Sequence, residues 1–291
     1  MPDCIAIGLG ELLWDVLPDR RTLGGAPANF AYHVGALGAV GIPLSRVGDD
    51  DLGRETLAAL ARHGVPTGHI ALDPAHPTGT VLAELDAHGA ATYTFPDDVA
   101  WDFLTPTPAD LALAARADAV CFGTLAQRSP TARQGVLAVL RAATRALRVY
   151  DVNLRQHFYD SARIRASLHL ADVLKINDAE LEVLTDIFCL PNTEHAALKT
   201  LLQRYDLRLA VLTRGENGSL IVTPHETSDL PGKPTPIADT IGAGDAFTAA
   251  LTLALLHGWP TRKLHEYAAR VAAHVCAHPG AMPDVPDSLK I

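Results

Sequence analysis

The chain has 291 residues, 48% of them apolar, and a formal net charge of −9. This size and apolar content allow one large α/β domain with a substantial core, and an acidic balance without a dense block of Lys or Arg argues against a nucleic-acid-binding surface. No window reaches the ~18 uninterrupted apolar residues of a membrane helix, the N-terminus does not resemble a secretion signal, and four scattered cysteines fit a reducing cytoplasm.

Predicted strands and helices alternate along the chain. A short apolar run at 4–9 predicts a buried first strand, and helical patterns follow at about 27–38 and 51–63. Further strand-like runs lie at about 79–86, 91–95, 118–122, 147–152, 172–176, 209–213 and 219–223, and helix-like stretches at about 109–116, 130–146, 161–170, 178–187 and 193–204. The alternation predicts a single α/β domain over residues 1–291, with a mainly parallel sheet covered by helices on both faces.

The segment from Thr78 to Phe95 departs from this alternation. Two strand-like runs, at 80–85 and 91–95, flank Asp86-Ala87-His88-Gly89 in a pattern typical of a β-hairpin. We expect segments at about 11–24 and 78–97 to form a small β-lid, and an ordinary edge hairpin is the alternative that this segment leaves open.

The first thirty residues carry groups suited to a polyol. Gly24 and Gly25 allow the backbone to approach a ligand closely, and Asn29 offers both a donor and an acceptor. Asp15, a carboxylate in an apolar run, could accept hydrogen bonds from two sugar hydroxyls or could be a turn or cap residue.

Polar residues also follow predicted strands in the middle of the chain. In Asp151-Val152-Asn153-Leu154-Arg155 they lie where open α/β sheets usually bind ligands, and Arg155 is a candidate to steady phosphate oxygens or a substrate hydroxyl. Asn177 and Glu180 share one face of a first helical turn and could hold a hydrated Mg²⁺, although the same spacing is that of a capping box. The loop from Thr213 to Gly218 is either a hairpin turn or a segment that packs along a nucleotide.

The run Asp239-Thr240-Ile241-Gly242-Ala243-Gly244-Asp245-Ala246-Phe247 predicts an anion cradle with a carboxylate in its wall. Gly242 and Gly244 leave N–H groups uncovered where a helix begins, and the helix dipole favours an anion there. Because Asp245 would repel a stored phosphate, proton abstraction from an attacking hydroxyl explains it better, and phosphoryl transfer to an alcohol follows. For this run alone, an ordinary loop-to-helix junction is the alternative.

Motifs for other kinds of chemistry find little support in the sequence. There is no G-x-x-x-x-G-K-[ST], and the glycines near Gly244 fail the dinucleotide fingerprint. His274 and His278 have metal-like helical spacing, but no acidic or cysteine partner follows nearby, so we expect no zinc site.

Together, these segments resemble the PfkB carbohydrate kinases, the ribokinase-like sugar kinases, and especially their fructokinase branch. The resemblance spans almost the whole chain and rests on the glycine pair with Asn29, residues 46–50, the hairpin, and residues 123–126, 151–155, 177–180 and 239–247. It implies a ribokinase-like fold and transfer of the γ-phosphoryl group of ATP to a monosaccharide hydroxyl, with fructose as the first choice, in a cytoplasmic homodimer.

The resemblance also implies roles for individual residues. Asp245 would be the catalytic base, and the backbone of Gly242, Ala243 and Gly244 the anion hole. The other implied positions are the sugar contacts Asp15, Gly25 and Asn29, the magnesium-linked pair Asn177 and Glu180, the nucleotide-side loop positions Thr213, Gly215 and Gly218, and the residues Asp239, Ile241 and Gly280 of a K⁺ site. Ile241 stands where relatives often have threonine, which a site built from backbone carbonyls tolerates.

Two other functions stay open at this point. The acceptor could be ribose, a nucleoside or a 2-keto-3-deoxy sugar acid, since Phe95, with Tyr93 and Trp101, could either stack on a base or close over a sugar. The chain could also be a sugar or nucleotide sensor that binds without turnover.

Overall fold

The structure is a computed structural model that describes residues 4–16, 21–85, 91–232 and 236–291. Its strands are β1 (Ile5–Leu9), β2 (Leu13–Val16), β3 (Arg21–Gly24), β4 (Val40–Gly48), β5 (Ile70–Asp73), β6 (Gly79–Leu85), β7 (Ala91–Thr94), β8 (Ala119–Phe122), β9 (Leu147–Asp151), β10 (Val173–Asn177), β11 (Leu209–Thr213), β12 (Ser219–Val222) and β13 (Thr227–Leu230). Its α-helices are α1 (Ala26–Ala36), α2 (Asp51–Arg62), α3 (Pro108–Ala114), α4 (Pro130–Ala142), α5 (Ser161–Leu168), α6 (Asp178–Phe188), α7 (Glu194–Arg204), α8 (Ala243–Leu256) and α9 (Thr261–Cys276).

The larger sheet has the strand order β13-β12-β11-β10-β9-β8-β1-β4-β5. Strands from β11 to β5 are parallel, and β12 and β13 extend one edge in antiparallel fashion. The apolar residues of α1, α8 and α9 pack against one face, and those of α3 to α7 pack against the other. The predicted fold class is confirmed, and the carboxyl ends of the parallel strands meet at one edge, where such sheets bind ligands.

A second sheet of order β3-β2-β6-β7 lies apart from the first. It consists of two antiparallel hairpins joined by parallel pairing of β2 with β6. These strands coincide with the two segments predicted to form a β-lid, whereas residues 17–20 and the predicted turn at 86–89 lie outside the described residues.

Helix α1 lies directly on the larger sheet because two glycines leave room for it. A Cβ on Gly8 of β1 would be 2.0 Å from the carbonyl oxygen of Pro27, and one on Gly41 of β4 would be 1.8 Å from that of Ala31. Any larger residue at either position would push the helix away from the sheet. The first turns of α1, which carry Asn29, are therefore held at a fixed depth beside the ends of the strands.

The periodicity of the sequence did not predict β4, β5, β13 or α9. Gly41 and Pro43 interrupt the strand pattern of β4, yet most of the strand is buried, and helix α1 requires the glycine. Strands β5 and β13 each have four residues, which is too short for a clear period. Among the helices that the structure describes, none is long and apolar enough to cross a membrane.

A buried arginine ties the end of the second sheet to the larger one. The Arg128 guanidinium donates to both carboxylate oxygens of Asp102, at 2.7 and 2.6 Å, and to the carbonyl oxygen of Pro96 just after β7. It also lies 4.1 Å from the ring centroid of Trp101 and 4.9 Å from that of Phe158. The bidentate geometry and the two stacked rings suit arginine and not lysine.

Replacement of this arginine by lysine tests its structural role. Because the side chains of Arg128 and Asp102 are only 5% and 4% exposed, we expect Arg128→Lys to lower the free energy of unfolding by about 2 kcal/mol or more. Arg54, which is 58% exposed and pairs with Asp51 and Asp49, is the matched control, and Arg54→Lys should cost less than about 0.5 kcal/mol. Urea denaturation measures both values, and equal losses in the two variants would contradict the assignment.

Candidate active site

Several strand ends converge on the beginning of helix α8. A small recess opens there, between the carboxyl ends of β1, β8 and β9 and the first turns of α1 and α8. Its polar lining comprises Glu11, Asp151, Asn153, Asp245 and Thr248. Three of these five residues are carboxylic acids, so the electrostatics of the recess depend on how each acid is paired.

Asp245 is held by a hydrogen bond from helix α1. The side-chain amide of Asn29 donates to its Oδ2 atom at 2.7 Å, across 216 positions of sequence. Asn29 is itself only 4% exposed, so this contact fixes the carboxylate at the wall of the recess. The two residues that the sequence assigned to the sugar and to the base are thus in direct contact.

The backbone before Asp245 forms the predicted cradle. Gly242 has φ of 78°, and a Cβ there would lie 2.8 Å from Cα of Ala281, so both conformation and space require glycine. The N–H groups of Gly242, Gly244 and Asp245 make no hydrogen bond with any described residue, whereas Ala243 N–H donates to Thr240 O at 3.3 Å. The free amides are therefore those of 242, 244 and 245, so the predicted set 242–244 is wrong at Ala243, and Asp245 takes its place.

A buried lysine lies beside the cradle. Lys175 of β10 donates to Oδ1 of Asp151 at 3.1 Å, and Thr248 of α8 donates to Oδ2 of Asp151 at 2.9 Å. The lysine ammonium lies 3.2 Å from the point where a Cβ on Gly244 would be. Burial by itself would lower the pKa of Lys175, but Asp151, Glu180 and Asp245 outweigh burial and raise it, so the positive charge persists.

The pKa of Asp245 is raised to about 6, mainly by burial and further by the negative charge of Asp151. The hydrogen bond from Asn29 and the charges of Lys175 and Arg155 oppose that rise. A carboxylate with a pKa near neutrality is a stronger base than an ordinary aspartate, while it stays largely ionised at pH 7. The site therefore holds a carboxylate suited to accept a proton beside backbone amides that have no partner among the described residues.

The predicted sugar contacts lie beside the same recess. Asp15 of β2 is half-buried, and burial raises its pKa against the opposing charge of Arg155. A Cβ on Gly24 would lie 2.7 Å from Oδ2 of Asp15, and Gly25, with φ of 117°, approaches the carbonyl oxygen of Glu11. Arg155 is exposed, and its guanidinium donates to the carbonyl oxygen of Leu154 at 3.0 Å.

Phe95 follows β7, in a small apolar cluster under the second sheet. Its ring meets that of Phe158 edge to face at a centroid distance of 5.7 Å, and the cluster includes Trp101 and Val81. The aromatic side chain packs in this cluster and does not line the recess.

Asn177 and Glu180 form the capping box that the sequence left as an alternative. Asn177 Oδ1 accepts from Glu180 N–H at 2.8 Å, and Glu180 Oε2 accepts from Asn177 N–H at 2.8 Å. Glu180 Oε1 also accepts from Leu154 N–H at 2.9 Å. Each carboxylate oxygen keeps a second lone pair, so the pair fits a water-mediated contact to a metal ion better than direct ligation.

The loop from Thr213 to Gly218 is the turn of the β11–β12 hairpin. Arg214 N–H donates to Gly218 O at 2.8 Å, and a Cβ on Gly218, with φ of 93°, would lie 2.0 Å from Leu230 O. Gly215 also has a positive φ, of 53°. Since Thr213 pairs with Asn177 across β10 and β11, this loop and the Asn177 cap share one end of the sheet.

Asp239 joins the two backbone segments expected around a monovalent cation. Its Oδ1 accepts from Ile241 N–H at 3.0 Å, and its Oδ2 accepts from Gly280 N–H at 3.2 Å. The side chain of Ile241 is exposed, so its identity does not affect the backbone there.

The sequence did not single out three residues of the site: Glu11, Asp151 as an ion-pair partner, and Lys175. Lys175 and Glu11 are charged residues inside apolar runs, which is the signal that could have found them. His274 and His278 instead contact backbone carbonyls, those of Asp284 and of His274. Within the described residues, no group of three or more His, Cys, Asp or Glu is arranged to hold a metal ion.

Comparison with known proteins agrees with this geometry. The family model described as pfkB family carbohydrate kinase matches residues 6–288. The chain is 34% identical over 269 residues to a fructokinase of Klebsiella pneumoniae, covering 87% of this chain and 85% of that protein, and 32% identical to a fructokinase of Salmonella typhimurium, with the same coverage.

Two solved structures resemble the fold closely. One is fructokinase from Vibrio cholerae O395 with fructose, ADP and calcium ion bound, at a TM-score of 0.81 and 26% identity, covering 98% of this chain and 96% of that one. The other is a sugar kinase from Pyrococcus horikoshii in complex with ATP, at a TM-score of 0.81 and 27% identity, with the same coverage.

The raised pKa of Asp245 predicts that its ionised carboxylate lowers the free energy of unfolding. The pKa of Asp245 is about 6 in the folded protein, higher than in the unfolded chain. The contribution of this group to the free energy of unfolding is therefore fully present below the unfolded-state pKa, and it is lost as pH rises through about 6. Asp245→Asn should therefore raise the free energy of unfolding at pH 8 by about 1–2 kcal/mol, a few degrees in Tm, and by less at pH 5.

Asp151→Asn is the matched control with the opposite sign. It leaves the Lys175 ammonium buried without its partner and should lower the free energy of unfolding by about 3–5 kcal/mol. Thermal unfolding of both variants at the two pH values measures the difference. A loss of stability in Asp245→Asn as large as that in Asp151→Asn would contradict the assignment.

Proposed function

This chain belongs to the pfkB family of carbohydrate kinases, ATP-dependent sugar phosphotransferases, and on that premise we propose that it phosphorylates a hydroxyl of fructose. The observation that carries the proposal is the Asp245 carboxylate, held by Asn29 at 2.7 Å beside amides without partners among the described residues. Fructose is favoured because curated relatives at 34% and 32% identity are fructokinases.

We infer that the sugar binds between the carboxyl edge of the larger sheet and the second sheet, which acts as a lid. Asp15 accepts hydrogen bonds from sugar hydroxyls, the backbone at Gly24 and Gly25 approaches the ring, and Asn29 orients the hydroxyl that reacts. Phe95 and Arg155 stand at the mouth, where lid closure would exclude water that competes as an acceptor.

The γ-phosphoryl group of ATP then lies at the start of α8. Asp245 takes the proton of the attacking hydroxyl as its oxygen bonds to phosphorus and the bond to the leaving ADP oxygen breaks. The amides of Gly242, Gly244 and Asp245 stabilise the charge on the transferred group, and the Lys175 ammonium adds to that field. The products are a sugar phosphate and ADP.

The remainder of ATP extends towards β10 and β11. Thr213, Gly215 and Gly218 would border the nucleotide, and Asn177 and Glu180 would contact Mg²⁺ through water. When bound, Mg²⁺ neutralises phosphate charge and so makes attack on phosphorus easier. A K⁺ ion held by backbone carbonyls at Asp239, Ile241 and Gly280 would add positive field behind the amides.

We also propose a cytoplasmic homodimer associated through the lid. Strands β3 and β7 are the edges of the four-stranded sheet, and Leu82 of β6 exposes its side chain. An open strand edge with exposed apolar area favours pairing with a second copy. Sedimentation at a mass of one chain would contradict it.

The substrate itself can be tested with a panel of acceptors. We expect ADP formation with fructose to exceed that with ribose, a nucleoside or a 2-keto-3-deoxy sugar acid, with Mg²⁺ and with K⁺ or Na⁺ as the monovalent ion. A higher kcat/KM for another acceptor would contradict fructose. Sugar binding by calorimetry without ADP formation from any acceptor would instead indicate a sensor.

Loss of the base should abolish turnover without loss of binding. We expect Asp245→Asn to lower kcat at least about a hundredfold while sugar binding by calorimetry changes little. In the wild type, kcat/KM should fall about tenfold per pH unit below pH 6, because protonation removes the base. Retained turnover in the variant, or a flat profile between pH 5 and 7, would remove Asp245 from this role.

A further inference from the structure

Glu11 is a buried acid that the proposed reaction does not use. It follows Gly10 in the connection from β1 to β2 and is only 3% exposed. Its Oε2 atom has no hydrogen-bond partner among the described residues, and the side chain lines the same recess as Asp245 and Asp151.

The backbone holds Glu11 in this place. Gly10 has φ of 147°, and a Cβ there would meet Pro27 and Ala126 at 3.0 Å. A Cβ on Gly25 would lie 2.6 Å from the carbonyl oxygen of Glu11. Since the chain is confined on both sides, the side chain cannot turn out of the recess without movement of β2 or α1.

The surroundings of Glu11 favour the neutral acid. Burial of an ionised carboxylate costs free energy when one of its oxygens has no hydrogen-bond donor. Burial of the protonated acid costs much less. Burial raises the pKa of Glu11 to about 7. A hydrogen bond from its own backbone and the charge of Arg155 oppose this rise in pKa, and Asp245 and Asp151 add to it. Cys121 of β8 also lines the recess, the α1 residues in the lining are apolar, and Lys175 is committed to Asp151.

The neutral acid would add a donor next to two acceptors of the sugar side. Asp15 and Asp245, when ionised, only accept hydrogen bonds, and Asn29 has one of its two amide N–H groups on Asp245 while its Oδ1 has no partner among the described residues. A sugar hydroxyl bound by acceptors alone donates its single proton and leaves its oxygen lone pairs unmatched. A donor in the recess would complete the set.

We propose that Glu11 is a substrate-binding residue that acts in its protonated form, with Oε2–H donating a hydrogen bond to a hydroxyl, ring or keto oxygen of the sugar. The inference deepens the proposed function and rests on it. No bond other than this hydrogen bond forms, and the proton stays on Glu11 through turnover.

The test is the pH dependence of KM for the sugar in the wild type, Glu11→Gln and Glu11→Ala, at saturating ATP and Mg²⁺ between pH 6 and 9. In the wild type, KM should rise about tenfold from pH 6 to pH 8 as Glu11 ionises. Glu11→Gln keeps a donor at that position but cannot titrate, so its KM should stay near the acidic wild-type value throughout. Glu11→Ala should have a KM at least about tenfold higher at every pH, with kcat changed little.

The outcomes separate this inference from the reaction it rests on. A wild-type KM that falls with pH, or the same rise in Glu11→Gln as in the wild type, would overturn the inference while leaving the kinase activity intact. Absence of ADP formation with every sugar would overturn the proposed function and the inference with it. If Glu11→Ala does not fold, the comparison of wild type with Glu11→Gln still decides, because Gln preserves volume and polarity.

Discussion

The hydrogen bond between Asn29 and Asp245 is the constraint on which the site depends. It joins helix α1, which follows the second sheet, to helix α8, which begins at the anion cradle, across 216 residues of sequence. Its length depends in turn on Gly8 and Gly41, because only glycine lets α1 lie so close to β1 and β4. The same few contacts thus bring the residues proposed to bind the sugar and those proposed to bind the phosphate together, and they orient the Asp245 carboxylate between them.

The three carboxylic acids of the site differ in their hydrogen-bond partners. Asp151 is bonded to Lys175 and Thr248, Asp245 has a single amide donor, and Glu11 has an oxygen with no partner among the described residues. Asp245 and Glu11 share this recess, and the amide donor on Asp245 favours its ionised form, whereas the bare oxygen of Glu11 favours the neutral acid. Acids with different pKa values in one recess are the arrangement from which acid and base roles arise, and the cost in stability is typical of functional sites.

The parts of the fold and of the site that depend on neighbouring residues could be predicted from the sequence. The signature around Asp245, the glycines of the cradle and the hairpin between Thr78 and Phe95 have short-range patterns, since turns and helix starts depend on neighbouring residues. Strand β4 could not be predicted because its Gly41 and Pro43 disrupt the strand pattern, and only the packing of α1 explains them. Lys175 and Glu11 stand inside apolar runs, and the partner of Lys175, Asp151, comes from another strand. From the sequence, Asn177 and Glu180 fit a magnesium-linked pair and a capping box equally well. Only the hydrogen bonds of the folded structure show the capping box.

The most direct measurement is a crystal structure with fructose and a non-hydrolysable ATP analogue bound together. We expect a primary hydroxyl of the sugar to lie within hydrogen-bond distance of the Asp245 carboxylate. The terminal phosphate should lie on the amides of 242, 244 and 245, with the hydroxyl oxygen in line with the phosphorus atom and the leaving oxygen. A sugar whose hydroxyls all lie out of reach of Asp245, or a terminal phosphate bound away from the start of α8, would contradict it.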